Sequence, residues 1–233
     1  MERGQRRQPS RRPHGAEDLA ELRVPAELDL TPSQMTGLVA IAYGSGEAVA
    51  DERVETALRR MRGRADRSEE SHVARLATTI LTAGFAALLS EGSVSIEMGR
   101  QRKLGLIPVA RVMIAKRDAT SFPSGSLEQE LHHQVTSEPQ RAYELYTTWL
   151  SKTARPAEHV INFAITSIAA PTVDGKLQEA RPHLPLWCER LAAFLVTDLG
   201  RELRVDASSA MVSRLPKGPS NTDLSWLPGQ IQD

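Results

Sequence analysis

From Glu69 to Glu91 the apolar residues recur at spacings of three and four, and directly after Gly92 the spacing drops to two. Val73, Leu76, Ala77, Ile80, Leu81, Gly84, Phe85, Leu88 and Leu89 fall on one face of a 3.6-residue helix. Ser68 is placed to accept an orphan backbone N–H, Glu69 and Glu70 suit the positive end of the helix dipole, and Gly92 suits its close. Then Val94, Ile96 and Met98 alternate with Ser93, Ser95 and Glu97, as in a strand. After the turn-like stretch Gly99 to Lys103, Val109 to Ala115 reads as a second strand, giving a basic-tipped hairpin near 93–117. A long apolar helix running straight into a hairpin has to be covered by other helices. The expected fold is therefore α+β, mainly α: a helical core with one or two peripheral β-hairpins.

Capping residues and prolines mark the covering helices. Thr31 precedes Pro32 and the apolar residues Leu38, Val39 and Ile41, and Gly44-Ser45-Gly46 ends that helix. A second spans Asp51 to Met61, followed by a polar linker rich in arginine over 59–67. Ser126 and Gln129 have capping-box spacing ahead of a helix from Leu127 to Val135. Pro139 opens a helix carrying Leu145, Trp149 and Leu150. Pro156 opens the next, with Val160, Ile161, Ala164 and Ile168, and Ala170-Pro171 breaks it. Pro185 opens a helix through Leu191 and Leu195 to Gly200, with a short strand expected at Leu203 to Val205, a weaker echo of the helix–strand unit at 69–98. One domain over 28–215 results, between a disordered basic arm (1–27) and a flexible tail (216–233) in which Trp226 is the residue able to dock.

Composition narrows the chemistry. Lys plus Arg and Asp plus Glu are both 29, so there is no global attraction for nucleic acid or anionic membranes, and any such partner must meet a local patch. The single Cys188 excludes an internal disulfide and a CxxC metal site, and points to a reducing, cytoplasmic setting. It sits on the apolar side of its helix, which predicts a buried, inert thiol. The nearest approach to a membrane-spanning run, Thr78 to Leu89, is too short and is interrupted by Thr82 and Gly84. The arginines at the N-terminus have no apolar segment behind them, as a signal peptide would require.

The most ligand-like cluster is His132-His133 with Glu128 and Glu130, whose E-x-x-H spacing is that of di-iron bundles. Such a site needs a second motif and more carboxylates, so the stretch is read as an exposed polar helix with Glu–His pairs. Gly44-Ser45-Gly46 has neither nucleophile-elbow nor phosphate-loop spacing. The expectation is a protein that is not an enzyme and carries no cofactor or metal. A deep pocket lined by perturbed carboxylates or histidines would be the sign of a hidden catalytic site.

Contact residues are sought where cations gather: Arg3, Arg6, Arg7, Arg11 and Arg12 in the arm, and Arg100, Arg102 and Lys103 at the hairpin tip. The arm reads as a solubilising tail or as an electrostatic contact with phosphates. The tip reads as a solvated turn, as a wing gripping a DNA backbone, or as an element facing a membrane or a protein partner.

The order of these motifs resembles the Golgi phosphoprotein family over about residues 30–218. Leu30-Thr31 resembles the start of its domain, and Leu88, Gly92 and Val94-Ser95-Ile96-Glu97 its long helix and first strand. Arg102-Lys103 and the run Val109 to Ala119 are similar to its basic turn and second strand. Pro123-Ser124-Gly125-Ser126 with Leu127 to Leu131 resembles its next loop and helix, with serine for the usual aspartate, and Trp149-Leu150-Ser151 the helix after that. Glu189 to Ala192, Leu195-Val196 and Gly200 resemble its second helix-to-strand unit. The resemblance implies a non-enzymatic adaptor or peripheral membrane-associated protein meeting an anionic membrane surface or a protein partner. Its lipid-binding arginines would fall at Leu81, Pro185 and Cys188, and no tryptophan lies between Glu47 and Arg75. Phosphoinositide binding in the family's manner is therefore not expected. The alternative is a winged-helix-like DNA-associated regulator using the basic hairpin.

Overall fold

The computed structural model describes residues 22–43, 52–62, 72–103, 107–117, 122–168 and 172–213. Its centre is α3 (His72–Ser90), the long apolar helix. Around it lie α1 (Pro32–Tyr43), α4 (Leu127–Gln134), α6 (Pro156–Thr166) and α9 (Asp198–Val212). Behind these, α5 (Ala142–Leu150) packs on α9, and α2 (Glu52–Arg62) packs on α8 (Leu184–Leu195). The short polar α7 (Val173–Ala180), which the sequence pattern does not mark, is capped by Thr172 and touches α1. The fold is α+β and mainly α, as expected.

By length and hydropathy Val73–Ser90 could cross a membrane, but 83% of that window is buried inside the fold. Every residue from Ala77 to Leu89 is buried, which is the pattern of a core helix rather than a surface one. Its threonines are compatible with that burial because each hydroxyl donates back along the helix: Thr78 to the Ala74 carbonyl (2.8 Å), Thr79 to Arg75 (2.9 Å) and Thr82 to Thr78 (2.8 Å). At Gly84 the side chains of Leu127 and Leu131 come so close that an added Cβ would sit 3.4 and 3.5 Å from them. Phe85 meets Tyr146 of α5 edge-on, with ring centroids 5.6 Å apart.

Gly92 ends α3 as expected and aims the chain into the hairpin. Its positive φ (68°) allows its N–H to reach the Leu89 carbonyl (3.1 Å) while the Ser93 N–H reaches Leu88 (3.1 Å). This pair of bonds is the Schellman closure. β1 (Val94–Lys103) then pairs antiparallel with β2 (Ile107–Lys116) over ten residues, from Val94 opposite Lys116 to Lys103 opposite Ile107. β3 (Gln140–Arg141) adds two residues against Met113 and Ile114.

Several expectations change. The chain after Pro139 first extends as β3, so α5 begins at Ala142. α2 continues through Arg62, into the stretch read as linker. The expected strand at Leu203 to Val205 lies inside α9, and α8 stops at Leu195 instead of running to Gly200. Thr197 breaks the two helices apart by accepting the Gly200 N–H (3.1 Å), and Leu199, Leu203, Ala207, Ala210 and Met211 then bury one helical face. The helix–strand echo is thus a helix–helix corner. Leu22 is already 1% exposed, so the chain meets the core before the expected boundary at 28. Gly44-Ser45-Gly46, Ser68 to Glu70, Ala170-Pro171, Trp226 and the arm and tail beyond 22–213 lie outside the described residues.

Two consequences follow for stability and reactivity. A Cβ on Gly200 would stand 2.1 Å from the Phe194 carbonyl oxygen and 2.8 Å from its carbon, both backbone atoms. Gly200→Ala should therefore cost at least about 2 kcal/mol, the scale of overpacking strain, read as a lowered urea midpoint at unchanged slope. A midpoint within error of the parent's would remove the corner from the account. Cys188 is fully buried, and burial pushes its thiol up to about 12. Thiol reagents should label it only as fast as the protein opens, and labelling of the native chain at the rate of a free thiol would contradict this placement.

Candidate functional site

The hairpin is anchored at its foot. α3 supports β1 and helices α5 and α9 support β2, with Val94, Val112 and Ile114 buried at the foot. β3 reaches no further up β2 than Met113. Beyond Met98 opposite Val112, no third strand pairs with the ribbon among the described residues. At about 3.3 Å per residue each ten-residue strand is roughly 33 Å long, and five of the ten paired positions lie past the anchored foot. Arg100, Arg102 and Lys103 occupy the last four positions of β1, opposite Ala110, Pro108 and Ile107, and Arg111 stands opposite Gly99. The register thus sets the predicted hairpin cations at the distal end of β1, in strand rather than in the turn expected for Gly99 to Lys103. Arg3, Arg6, Arg7, Arg11 and Arg12 lie outside the described residues.

The foot is locked to the helical body by a carboxylate. Asp206 of α9, 4% exposed, pairs with Arg141 of β3 and accepts the Tyr143 N–H at 3.2 Å. It therefore caps the start of α5 and ties α9 to the sheet. Arg141 also lies 5.6 Å from the Tyr143 ring centroid. The ribbon consequently rises from a rigid base.

The His132-His133 cluster proves different from its reading as an exposed polar helix. Glu128 is fully buried and His132 is 6% exposed, while His133 faces solvent. Glu128 accepts the Ser33 N–H (2.9 Å) and the Ser33 hydroxyl (2.9 Å), closing the N-terminus of α1 from ninety-five residues away. Thr31 and Gln34 complete that end, with the Thr31 N–H donating to Gln34 Oε1 at 2.8 Å. Burial raises the Glu128 carboxyl above its ordinary 4.5, and the Ser33 and Thr31 hydrogen bonds partly offset the rise. The expected helix start holds beside it: Ser126 Oγ accepts from the Gln129 N–H, while Gln129 Oε1 reaches one residue further back, to the Gly125 N–H (2.7 Å).

A cavity of about 340 Å³ lies over this contact, lined by Leu22, Val24, Leu30, Thr31, Phe122 and Glu128 among others. The carboxylate is committed to Ser33 and has no exposed surface. It serves as a helix cap in the wall of that cavity. Among the described residues no three His, Cys, Asp or Glu side chains are grouped to hold a metal ion. Leu81 and Cys188, two of the positions where the family resemblance would place lipid-binding arginines, are wholly buried.

Sequence reasoning missed both buried carboxylates, although the signal was present. Glu128, Leu131, His132 and Val135 share one helical stripe, as do Leu199, Leu203, Asp206 and Ala210. A carboxylate within an apolar stripe is a carboxylate with a buried partner.

The partner role of Glu128 makes a specific prediction. Glu128→Gln keeps an acceptor for the Ser33 N–H and should remain within about 1 kcal/mol of the parent, whereas Glu128→Ala should lose about 3 kcal/mol through the lost cap and the orphaned N–H. Because the folded pKa is raised, the parent's stability relative to the Gln variant should be greatest below pH 4.5 and should fall as pH rises through the folded value. Urea unfolding of the three proteins between pH 4 and about 8 reads both effects. Equal stabilities of the Ala and Gln variants would exclude the capping role.

In comparisons with known proteins, the chain matches no protein-family model, no curated protein and no solved structure.

Proposed function

We propose that this protein is a non-enzymatic adaptor that works as a peripheral membrane-associated protein, with the β1–β2 ribbon as its contact element. The observation that carries the reading is the ribbon itself: a long hairpin fixed at its foot by Asp206 and Arg141, extending past its last neighbouring strand and bearing Arg100, Arg102 and Lys103 towards its end. Cations gathered on one element can attract an anionic surface locally although the chain as a whole has zero net charge. The order of helix, hairpin and capped helix, which resembles the Golgi phosphoprotein family, agrees with such a role. Phosphoinositide recognition is not part of the proposal, because buried Leu81 and Cys188 leave no guanidinium there to grip a headgroup.

A DNA-associated regulator is the second reading. A winged helix reads base edges with an exposed helix beside its wing, and the helix that leads into this hairpin is the buried centre of the fold. Only phosphate contacts would be left to it, and these favour any polyanion alike.

Co-sedimentation with vesicles tests the proposal. The full chain should bind vesicles rich in anionic lipid, release with rising salt, and ignore neutral vesicles. Replacing Arg100, Arg102 and Lys103 together by Ala should weaken binding by roughly 100-fold, at about 1 kcal/mol for each cation near the surface. Removing residues 1–15 reports separately on the N-terminal arginines. No binding to any vesicle, with steeply salt-dependent binding to duplex DNA, would replace the membrane role by the second reading.

A further inference from the structure

We propose that the outer edge of β1 is a strand-addition site for an extended, acidic segment of a partner protein. The inference rests on the adaptor reading above and names the mode by which such an adaptor would take its cargo.

The two edges of the ribbon differ. At the foot, the Arg117 N–H donates to the Ser93 carbonyl at 3.0 Å, which fixes the phase of the ladder. In an antiparallel pair each residue turns its N–H and C=O to the same side, and successive residues alternate. With the observed register, Ser95, Glu97, Gly99, Gln101 and Lys103 turn theirs towards β2. Val94, Ile96, Met98, Arg100 and Arg102 turn theirs outward. On β2 three of the five outward positions are taken or carry no donor, leaving Val112 and Ala110. Lys116 donates to the Thr136 carbonyl at 2.8 Å, Ile114 stands in register with Gln140 of β3, and near the tip the outward position falls on Pro108, which has no N–H to offer. β1 has no proline, and no described element pairs with its outer edge. β1 thus keeps outward donors at Ile96, Met98, Arg100 and Arg102 in succession, where β2 keeps only Val112 and Ala110, and a run of that length is what an added strand needs.

Charge selects the occupant. An antiparallel strand on this edge would meet Arg102 and Arg100 first, then Met98 and Ile96, and would end at Val94, which is buried at the foot. It therefore suits a segment with alternating carboxylates followed by alternating β-branched residues. A second copy of this chain suits it less, since pairing two β1 edges gathers Arg100, Arg102 and Lys103 of both ribbons in one sheet, with only Glu97 of each to offset them.

The test uses the full chain, isotope-labelled, and a synthetic peptide of sequence Glu-Thr-Glu-Thr-Val-Thr-Val-Thr-Val. Saturable binding should slow amide exchange at Ile96, Met98, Arg100 and Arg102 while leaving Gly99 and Gln101 unchanged. Met98→Pro removes the central outward donor without touching the β1–β2 bonds, and should weaken binding at least about tenfold with an unaltered circular dichroism spectrum. Arg100→Glu with Arg102→Glu should lose the acidic peptide and gain one in which Lys replaces both Glu. Equal binding by Met98→Pro, or by the Lys peptide to the parent, would overturn the proposal. Self-association that Met98→Pro abolishes would overturn it in favour of a second copy. Loss of peptide binding with salt-sensitive vesicle binding retained would refute the strand site alone, and the reverse result would refute the membrane role alone.

Discussion

Everything in this structure follows from the need to keep α3 out of water. A helix with a polar face can lie on a surface; α3 is instead covered all round from Ala77 to Leu89. Four helices from distant parts of the sequence do this, and small residues on α3 let them come close: Ala74, Ala77, Ala83, Ala86 and Gly84 are all buried contact positions. Aromatic residues are few, so packing is achieved by interlocking Leu, Ile, Val and Ala, with edge-on ring pairs at Phe85–Tyr146 and Trp149–Phe163.

Helices gathered in this way end inside the protein, where their terminal N–H groups cannot reach water. Two carboxylates solve that problem at long range. Glu128 closes α1 and Asp206 closes α5, each from a helix remote in sequence. A local cap fixes only where a helix starts. A remote cap also fixes which helices are neighbours, because the carboxylate is satisfied in one arrangement only. Thr36 adds a third polar tie, accepting from the Trp187 indole of α8 at 3.2 Å. The Asp206 tie has a second effect, since through Arg141 and β3 it anchors the base from which the ribbon projects.

Much of this was legible before any coordinates. The change from a period of 3.6 to a period of two around Gly92 gave the core helix and the hairpin, and the Schellman closure at Gly92 is what its position implied. Proline and serine punctuation placed the starts of α1, α4 and α6. The failures have a common cause. Leu203 to Val205 looks extended in a short window, yet the stripe from Leu199 to Met211 is helical over a longer one, and burial followed the longer pattern. The start of α5 moved because β2 had an edge for Gln140 and Arg141 to fill, a non-local demand that no local signal carries.

The sequence by itself determined the periodicities, the turn chemistry, the thiol that would be buried and the cations a partner could meet. These are properties of near neighbours along the chain, where spacing and residue type act directly. Only the tertiary structure decided that Glu128 is a buried cap rather than half of an exposed Glu–His pair. It alone also decided that Asp206 and Arg141 fix the hairpin's foot, and that β3 pairs with β2 and not with β1. Each of these depends on which remote groups share a dry environment or a hydrogen-bonding edge, and that is settled when the chain packs around α3.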